Sequence, residues 1–528
     1  MMGSKERNFS PLPHLSLEDL VPEDNFYRRL EAILDLSLVR ELVRDCYAAV
    51  GRPSVDPVVF FKLQLVLFFE GLRSERQLME VAADRLSIRW YLGYDLHEPL
   101  PDHSSLTRIR ERYGLEVFRR FFEWIVEMCF EAGLVGGKEL FFDSTKVRAN
   151  ADVDSLCSRS LVENHLEGLF ENEVFGPVTT RPDAPTALPE AALSTAEDHG
   201  LAAANARRGD WISRTGRQDR SFKSGSRART SDLRVSRTDP DATPMRVGKG
   251  ETRLGYQTHY VTDGGKGRVI LAALVTPSEV TENRPMLDLL WRTIFRWHAR
   301  PHQVTGDAKY GTRENVAGVE RVGIRAYVAI PNFDFRKTES GFFGPGYFRY
   351  DPERDFYVCP AGELMPRRAR NSGARGTMYR AKAETCNACY LKSRCTSSEN
   401  GRTVYRPRDE DYYDRVRAYR GTFSYEKALR KRKVWVEPLF AEAKDWHGMR
   451  RFRLRRLEKV NVEALLIASG QNVKRLLAFG GRRPKKPAQA AALRPPAAPA
   501  HEICCTREHR ARCSRQPTKA FLNTLGHF

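Results

Sequence analysis

Three acids stand in surroundings that could make a carboxylate a metal ligand. Asp143 follows the apolar triplet Leu140, Phe141, Phe142 and precedes Ser144, Thr145 and Lys146. Asp307 lies in VTGDAKYG, between a short apolar run and a glycine turn. Glu437 follows Val434, Trp435 and Val436 and is boxed between a basic run at 430–433 and the arginines of 450–456. A single acid among lysines and arginines is most simply a charge-balanced surface residue, so each carries little weight alone. As a set they suit Mg²⁺, which takes a few hard carboxylates and keeps waters; two such ions roughly 3.5–4 Å apart can stabilise both the attacking and the leaving oxygen of a phosphodiester. Acids supply the anionic ligands, and the basic neighbours let an anionic substrate stay bound.

Such chemistry requires rigid supports for the side chains. KELFFD is expected to be a short buried strand that ends in Asp143 at a sheet edge. GYQTHYVTD and RVILAALVT flank Gly264-Gly265 as a hairpin, and TENRPMLDLLWRTIFRW follows as a helix with Leu287, Leu290, Ile294 and Phe295 on its apolar face. PHQVTGD is a third strand leading into Asp307, ENVAGVERVG a helix, and IRAYVAI a buried strand. That alternation predicts a mixed α/β sheet with helices on its faces. Pro438, directly after Glu437, either starts a helix there or kinks one at the acid.

The N-terminal region is expected to be helical. Asp56-Pro57 is an N-cap and first-turn pair ahead of an apolar, buried helix, and Ser74 with Gln77 suggests a capping box. In PDHSSLTRIRERYG, Asp102 or Ser104 caps a short helix carrying Arg108, Arg110 and Arg112, which Gly114 closes; a longer helix with Phe118, Phe121, Phe122, Ile125 and Val126 follows. An Arg-rich helix after a tight turn could enter DNA, and a packing domain with solvated arginines fits the same residues.

The 528 residues carry 87 Lys and Arg against 67 Asp and Glu, a net charge of +20, which favours a polyanionic partner, most simply nucleic acid. Residues 1–10 are polar and the longest apolar run is too short for a bilayer, so a soluble, cytoplasmic, nucleoid-associated protein is expected. Residues 152–250 are Ala/Pro-rich and then Arg/Ser/Thr-rich, and 207–249 hold 12 basic against 5 acidic residues, which suits a mobile arm along phosphates or an inert solvated insertion. Cys359, Cys386, Cys389 and Cys395, with a C-x2-C pair at their centre, suit a structural Zn²⁺ site or reduced structural thiols. An amphipathic helix over 462–479 precedes a Pro/Ala-rich and basic tail expected to be disordered.

With these residues in view, the chain resembles the DDE transposases of bacterial insertion sequences. FFDSTKVRANA and VTGDAKYGTREN resemble the segments around that family's two Asp residues, and Glu437 with Lys444 matches its Glu-x6-Lys spacing. GRPSVDPVVFFKLQLVLFFEGLRSERQLMEV, LPDHSSLTRIRERYG and RFRLRRLEKVNVEALLIASGQNVKRL resemble the terminal domains of one branch, so the likeness spans most of residues 10–480. It implies an RNase H-like core in which Asp143, Asp307 and Glu437 bind Mg²⁺ or Mn²⁺, and a homodimer or higher complex on the element's terminal repeats and target DNA. Lys444, Lys433, Arg430, Arg450, Arg451, Arg453, Arg108 and Arg110 are the expected DNA contacts.

The organisation expected is a helical DNA-binding domain (1–136), a core in pieces (137–151, 251–331, 421–480), insertions at 152–250 and 332–420, and a tail (481–528). Where the subgroup has Tyr and Arg before the Glu, this chain has Arg430 and Lys433. A catalytically impaired DNA-binding regulator and a plain metal-dependent nuclease are the alternatives.

Overall fold

The computed structural model describes residues 16–48, 54–158, 234–248, 251–330, 341–373 and 376–479. The first part of the basic arm (159–233) and the tail beyond 480 lie outside the described residues.

Among the described residues seven α-helices come first: α1 (Leu17–Leu20), α2 (Phe26–Ile33), α3 (Leu38–Leu42), α4 (Pro57–Phe69), α5 (Glu75–Asp84), α6 (Leu86–Leu92) and α7 (His103–Glu131). The caps are those the sequence suggests: the Asp56 carboxylate accepts from Val58 N at 2.8 Å, and Asp102 accepts from Ser104 N at 2.8 Å. Helix α4 buries residues all round, among them Phe60, Phe61, Leu63, Leu65 and Val66. Gly114, at φ 63° and ψ −177°, breaks the course of α7 into an Arg-bearing half and an aromatic half, a conformation only glycine adopts without strain.

The central sheet contains β1 (Glu139–Arg148). Two short strands, β2 (Leu156–Ser158) and β3 (Arg234–Ser236), pair with each other, and β4 (Thr243–Val247), β5 (Glu251–Asp263) and β6 (Ile270–Pro277) return to the sheet. Then come α8 (Met286–Trp297), β7 (Gln303–Gly306), α9 (Arg313–Glu320) and β8 (Arg325–Val328). β1 is antiparallel to β5, β5 is antiparallel to β6 and β4, and β1, β7 and β8 run parallel. Residues 234–248 thus belong to the folded core, although composition placed them in a mobile arm. Asp239 and Asp241 there are fully buried: Asp239 accepts from Tyr256 Oη at 2.6 Å and Arg456 N at 2.8 Å, and Asp241 accepts from Leu457 N at 2.7 Å. On α8, Phe295 faces solvent rather than the core.

After β8 the chain forms a second, antiparallel sheet from β9 (Arg349–Asp351), β10 (Phe356–Val358), β11 (Leu364–Gly373), β12 (Gly376–Arg380) and β13 (Thr403–Pro407). Two short helices, α10 (Ala383–Asn387) and α11 (Lys392–Cys395), lie between β12 and β13. Helices α12 (Glu410–Tyr419), α13 (Phe423–Trp435), α14 (Glu437–Trp446) and α15 (Leu457–Phe479) close the described chain.

Helix α15 (expected as an amphipathic helix over 462–479) is buried around most of its circumference. It packs on α7, α4 and β6 and buries polar as well as apolar residues. Two of its polar groups complete the outer edge of β6. The Asn461 amide exchanges hydrogen bonds with Val275 N (2.8 Å) and Val275 O (3.0 Å), and the Asn472 amide with Ile270 N (2.9 Å) and Ile270 O (2.8 Å). Side chains replace the missing neighbouring strand, so buried peptide groups there are satisfied.

Candidate active site at the carboxyl end of the parallel strands

Strand β1 lies between β5 and β7 and is covered on both faces, which is why Leu140, Phe141 and Phe142 are all buried in succession. Asp143 sits within this strand, which runs five residues past it, rather than at its end. What ends is the neighbour. Glu139, Leu140 and Phe141 pair with Gln303, Val304 and Thr305, and carrying that parallel register two residues further sets Asp143 level with Asp307. In an open α/β sheet the carboxyl ends of parallel strands are where ligands bind.

Asp143 is only 8% exposed, and burial pushes its carboxyl up to about 6. The Arg432 guanidinium and the Ser144 amide (2.9 Å) act in the opposite sense, while the charges of Asp307 and Glu282 add to the rise. Asp307 caps a single 3-10 turn (Ala308–Tyr310), its carboxylate accepting from Lys309 N at 2.9 Å. Lys309 in turn pairs with Glu282, a fourth acid near the pair that sequence reasoning did not single out.

Glu437 begins α14. Helix α13 ends at Trp435, Val436 forms the junction, and Pro438 stands in the first turn, where its missing N–H would have no intrahelical partner anyway. The helix starts at the acid instead of being kinked there. Arg432, in the last turn of α13, reaches both acids: Nη1 lies 2.8 Å from Asp143 Oδ2 and Nη2 3.5 Å from Glu437 Oε1. It was visible only as one of four consecutive basic residues. Lys433, which stands where the subgroup has its arginine, is exposed, as is Arg430.

Glu437 and Lys444 are seven residues apart on α14 and so share a face. Asp143 and Thr145 are two apart on β1 and share a side. The Lys444 ammonium donates to Thr145 Oγ1, while Arg432 ties Glu437 to Asp143, so the Glu-x6-Lys spacing lays α14 along β1. Burial, with Arg450 nearby, holds the Lys444 ammonium below the usual lysine range.

The other expected DNA contacts divide. Arg108, Arg450 and Arg451 are exposed, Arg450 paired with Asp445 and Arg451 donating to Asn150 Oδ1 at 2.8 Å. Arg110 is instead buried, 6% exposed, against Glu75, and Arg453 joins the same carboxylate at 3.0 Å. These two arginines tie α5, α7 and the segment before α15 together through Glu75. Ion pairing with Glu75 offsets the cost of burying that charge.

Hard carboxylates at one sheet end suit a divalent cation in donor type. As they stand, no three His, Cys, Asp or Glu side chains among the described residues are close enough together to hold a metal ion. Arg432 fills the role of counter-cation between Asp143 and Glu437.

Two stretches match known families: residues 15–112 match a Transposase domain (DUF772), and residues 358–477 match a Transposase DDE domain. The second stretch contains Glu437 and Lys444 and ends within α15, while Asp143 and Asp307 precede it. No curated protein matches the chain. Among solved structures it is similar to a piggyBac transposase synaptic complex with hairpin DNA, at 10% identity over 94% of this chain and 92% of that one; the TM-score of 0.30 lends no support to any finer reading.

Proposed function

The chain belongs to the DDE-type insertion-sequence transposases, DNA transposase enzymes that act on DNA, and on that premise we propose that Asp143, Asp307 and Glu437 are its catalytic acids. The observation that carries this reading is the register that brings Asp143 level with Asp307, together with Arg432 joining Asp143 to Glu437. The order β6-β5-β1-β7-β8, with the last three parallel, supports an RNase H-like core.

Asp143, Asp307 and Glu437 would hold Mg²⁺ or Mn²⁺, which when bound activates water and stabilises charge on the reacting phosphate. The chain's own groups do the rest. Arg432, which reaches both Asp143 and Glu437, would offer its guanidinium to the scissile phosphate beside them. Lys444 holds a neighbouring phosphate from Thr145, and the exposed Arg430, Lys433, Arg450, Arg451 and Arg108 bind the flanking duplex. Cleavage at the element end frees a 3′-hydroxyl, and the same acids direct its attack on target DNA. A homodimer or higher complex, acting in the cytoplasm on the nucleoid, would bring two ends together. No helix among the described residues is long and apolar enough to cross a membrane.

Asp143→Asn, Asp307→Asn and Glu437→Gln should each lower Mg²⁺-dependent cleavage of a terminal-repeat fragment by about 10³-fold or more, with binding to that fragment within a few-fold of wild type. Cleavage retained in Asp143→Asn would refute the assignment. Wild-type binding without cleavage would point to a regulator of element ends, and cleavage without strand transfer to a nuclease.

A further inference from the structure

The sheet that interrupts the core between β8 and α12 buries few apolar side chains of its own. Its own buried cluster is Phe343, Phe348, Tyr357, Met365, Tyr379, Ala381 and Val404, drawn from more than sixty residues. A unit with so small a core ordinarily needs a cross-link or a bound metal.

Four thiols meet beside that cluster. Cys359 stands in the turn between β10 and β11, where Gly362 at φ +86° lets its amide donate back to Cys359 O at 2.9 Å. Cys386 lies on α10, Cys389 just beyond it, and Cys395 ends α11. All four line one small cavity, together with Met365, Ala381, Leu391 and Arg402. None of them forms a disulfide.

Two main-chain amides are directed at the sulfurs: Leu391 N lies 3.4 Å from Cys389 Sγ and Arg402 N 3.5 Å from Cys386 Sγ. Amide donors of this kind favour the thiolate over the thiol and orient metal-bound sulfur. The Arg402 guanidinium, fixed to Cys395 O at 2.9 Å and Phe343 O at 3.1 Å, places a positive charge beside what would be an anionic cluster. As they stand, the four sulfurs border the cavity without three of them reaching ligand distance.

We infer that Cys359, Cys386, Cys389 and Cys395 form a structural Zn²⁺ site that fastens the β10–β11 turn to the α10–α11 excursion. Four sulfur ligands complete a tetrahedral shell and leave no open position, so the ion is structural and takes no part in DNA chemistry. Binding converts the thiols to thiolates and releases their protons to solvent. The assignment rests on the cysteine geometry alone and stands or falls independently of the three acids.

The test uses the full chain. Wild type purified without chelator should contain about one Zn²⁺ per chain by elemental analysis, a closed four-thiolate site binding one ion. Cys386→Ser/Cys389→Ser should fall below a tenth of that content, while Cys46→Ser and Asp143→Asn keep it. Because the double variant could lose metal by misfolding, metal-stripped wild type is also titrated with Co²⁺. The expected result is the strong visible absorption of tetrahedral thiolate-bound Co²⁺, displaced by Zn²⁺, with four thiols becoming unreactive to a thiol reagent. Metal-free wild type that yields no such spectrum, or undiminished zinc in the double variant, would overturn the site.

Discussion

Arg432 sets the resting state of the acids. Its guanidinium touches Asp143 at 2.8 Å and Glu437 at 3.5 Å, so two anions that would repel one another share a cation. The carboxyl of Asp143 is nonetheless pushed up to about 6 by burial, and removing the arginine takes away the charge that opposes this. In Arg432→Gln the acid limb of the Mg²⁺-dependent cleavage profile should therefore move to higher pH, as measured by initial rates between pH 5 and 8. An unmoved limb would mean that Arg432 does not control Asp143. A second carboxyl, Asp239, far along the chain from the three acids, is also pushed up to about 6 by burial. A raised carboxyl favours the folded state below its unfolded value, near 3.8, and loses that contribution as pH climbs through about 6. Asp239→Asn keeps an oxygen for Tyr256 and Arg456 without the charge. Its melting temperature relative to wild type should rise between pH 4 and pH 6.5, by an amount equivalent to on the order of 2 kcal/mol, readable by calorimetry. A constant offset across that range would show that Asp239 stays ionised.

At the scale of elements, the seam between α15 and β6 is the clearest case of structure supplied from a distance. Asn472→Leu leaves the amide and carbonyl of Ile270 without partners, and Asn461→Leu does the same at Val275. Each should cost about 2–4 kcal/mol in urea denaturation, since two buried polar groups lose their bonds at once. Lying three helical turns apart, the two losses should nearly add. This seam was not legible in the sequence, because an asparagine in a helix says nothing about which strand edge lies beside it. The strands around Asp143 and Asp307 were legible, since buried parallel strands are written as unbroken apolar runs ending near polar turns. So was the start of α14 at Glu437, once Pro438 allowed only a first-turn place or a kink. The pairing of Arg110 and Arg453 with Glu75 was not legible either, because Glu75 is remote from both in sequence. The strand at 243–247 was hidden for a similar reason: the groups that bury Asp239 and Asp241, Tyr256 and the amides of Arg456 and Leu457, are invisible to local composition.

For the whole molecule, a net charge of +20 makes DNA binding strongly salt-dependent, and the burial of some arginines decides which of them matter. Arg450→Gln and Lys433→Gln should each weaken duplex binding and reduce the slope of log Kd against log salt by roughly one, measured by fluorescence anisotropy. Arg110→Gln should leave that slope unchanged while lowering the melting temperature; a reduced slope would show that the arginine leaves Glu75 to meet a phosphate. The position of α15 has a consequence for biosynthesis. This helix follows every other described element in the chain, yet it is wedged among α4, α7 and β6. A nascent polypeptide emerging from the ribosome cannot close its core until residue 479 is free of the exit tunnel, and α14 with Glu437 emerges only shortly before. On the proposed assignment, a polypeptide released before α14 carries Asp143 and Asp307 without Glu437 and without the helix that closes the core.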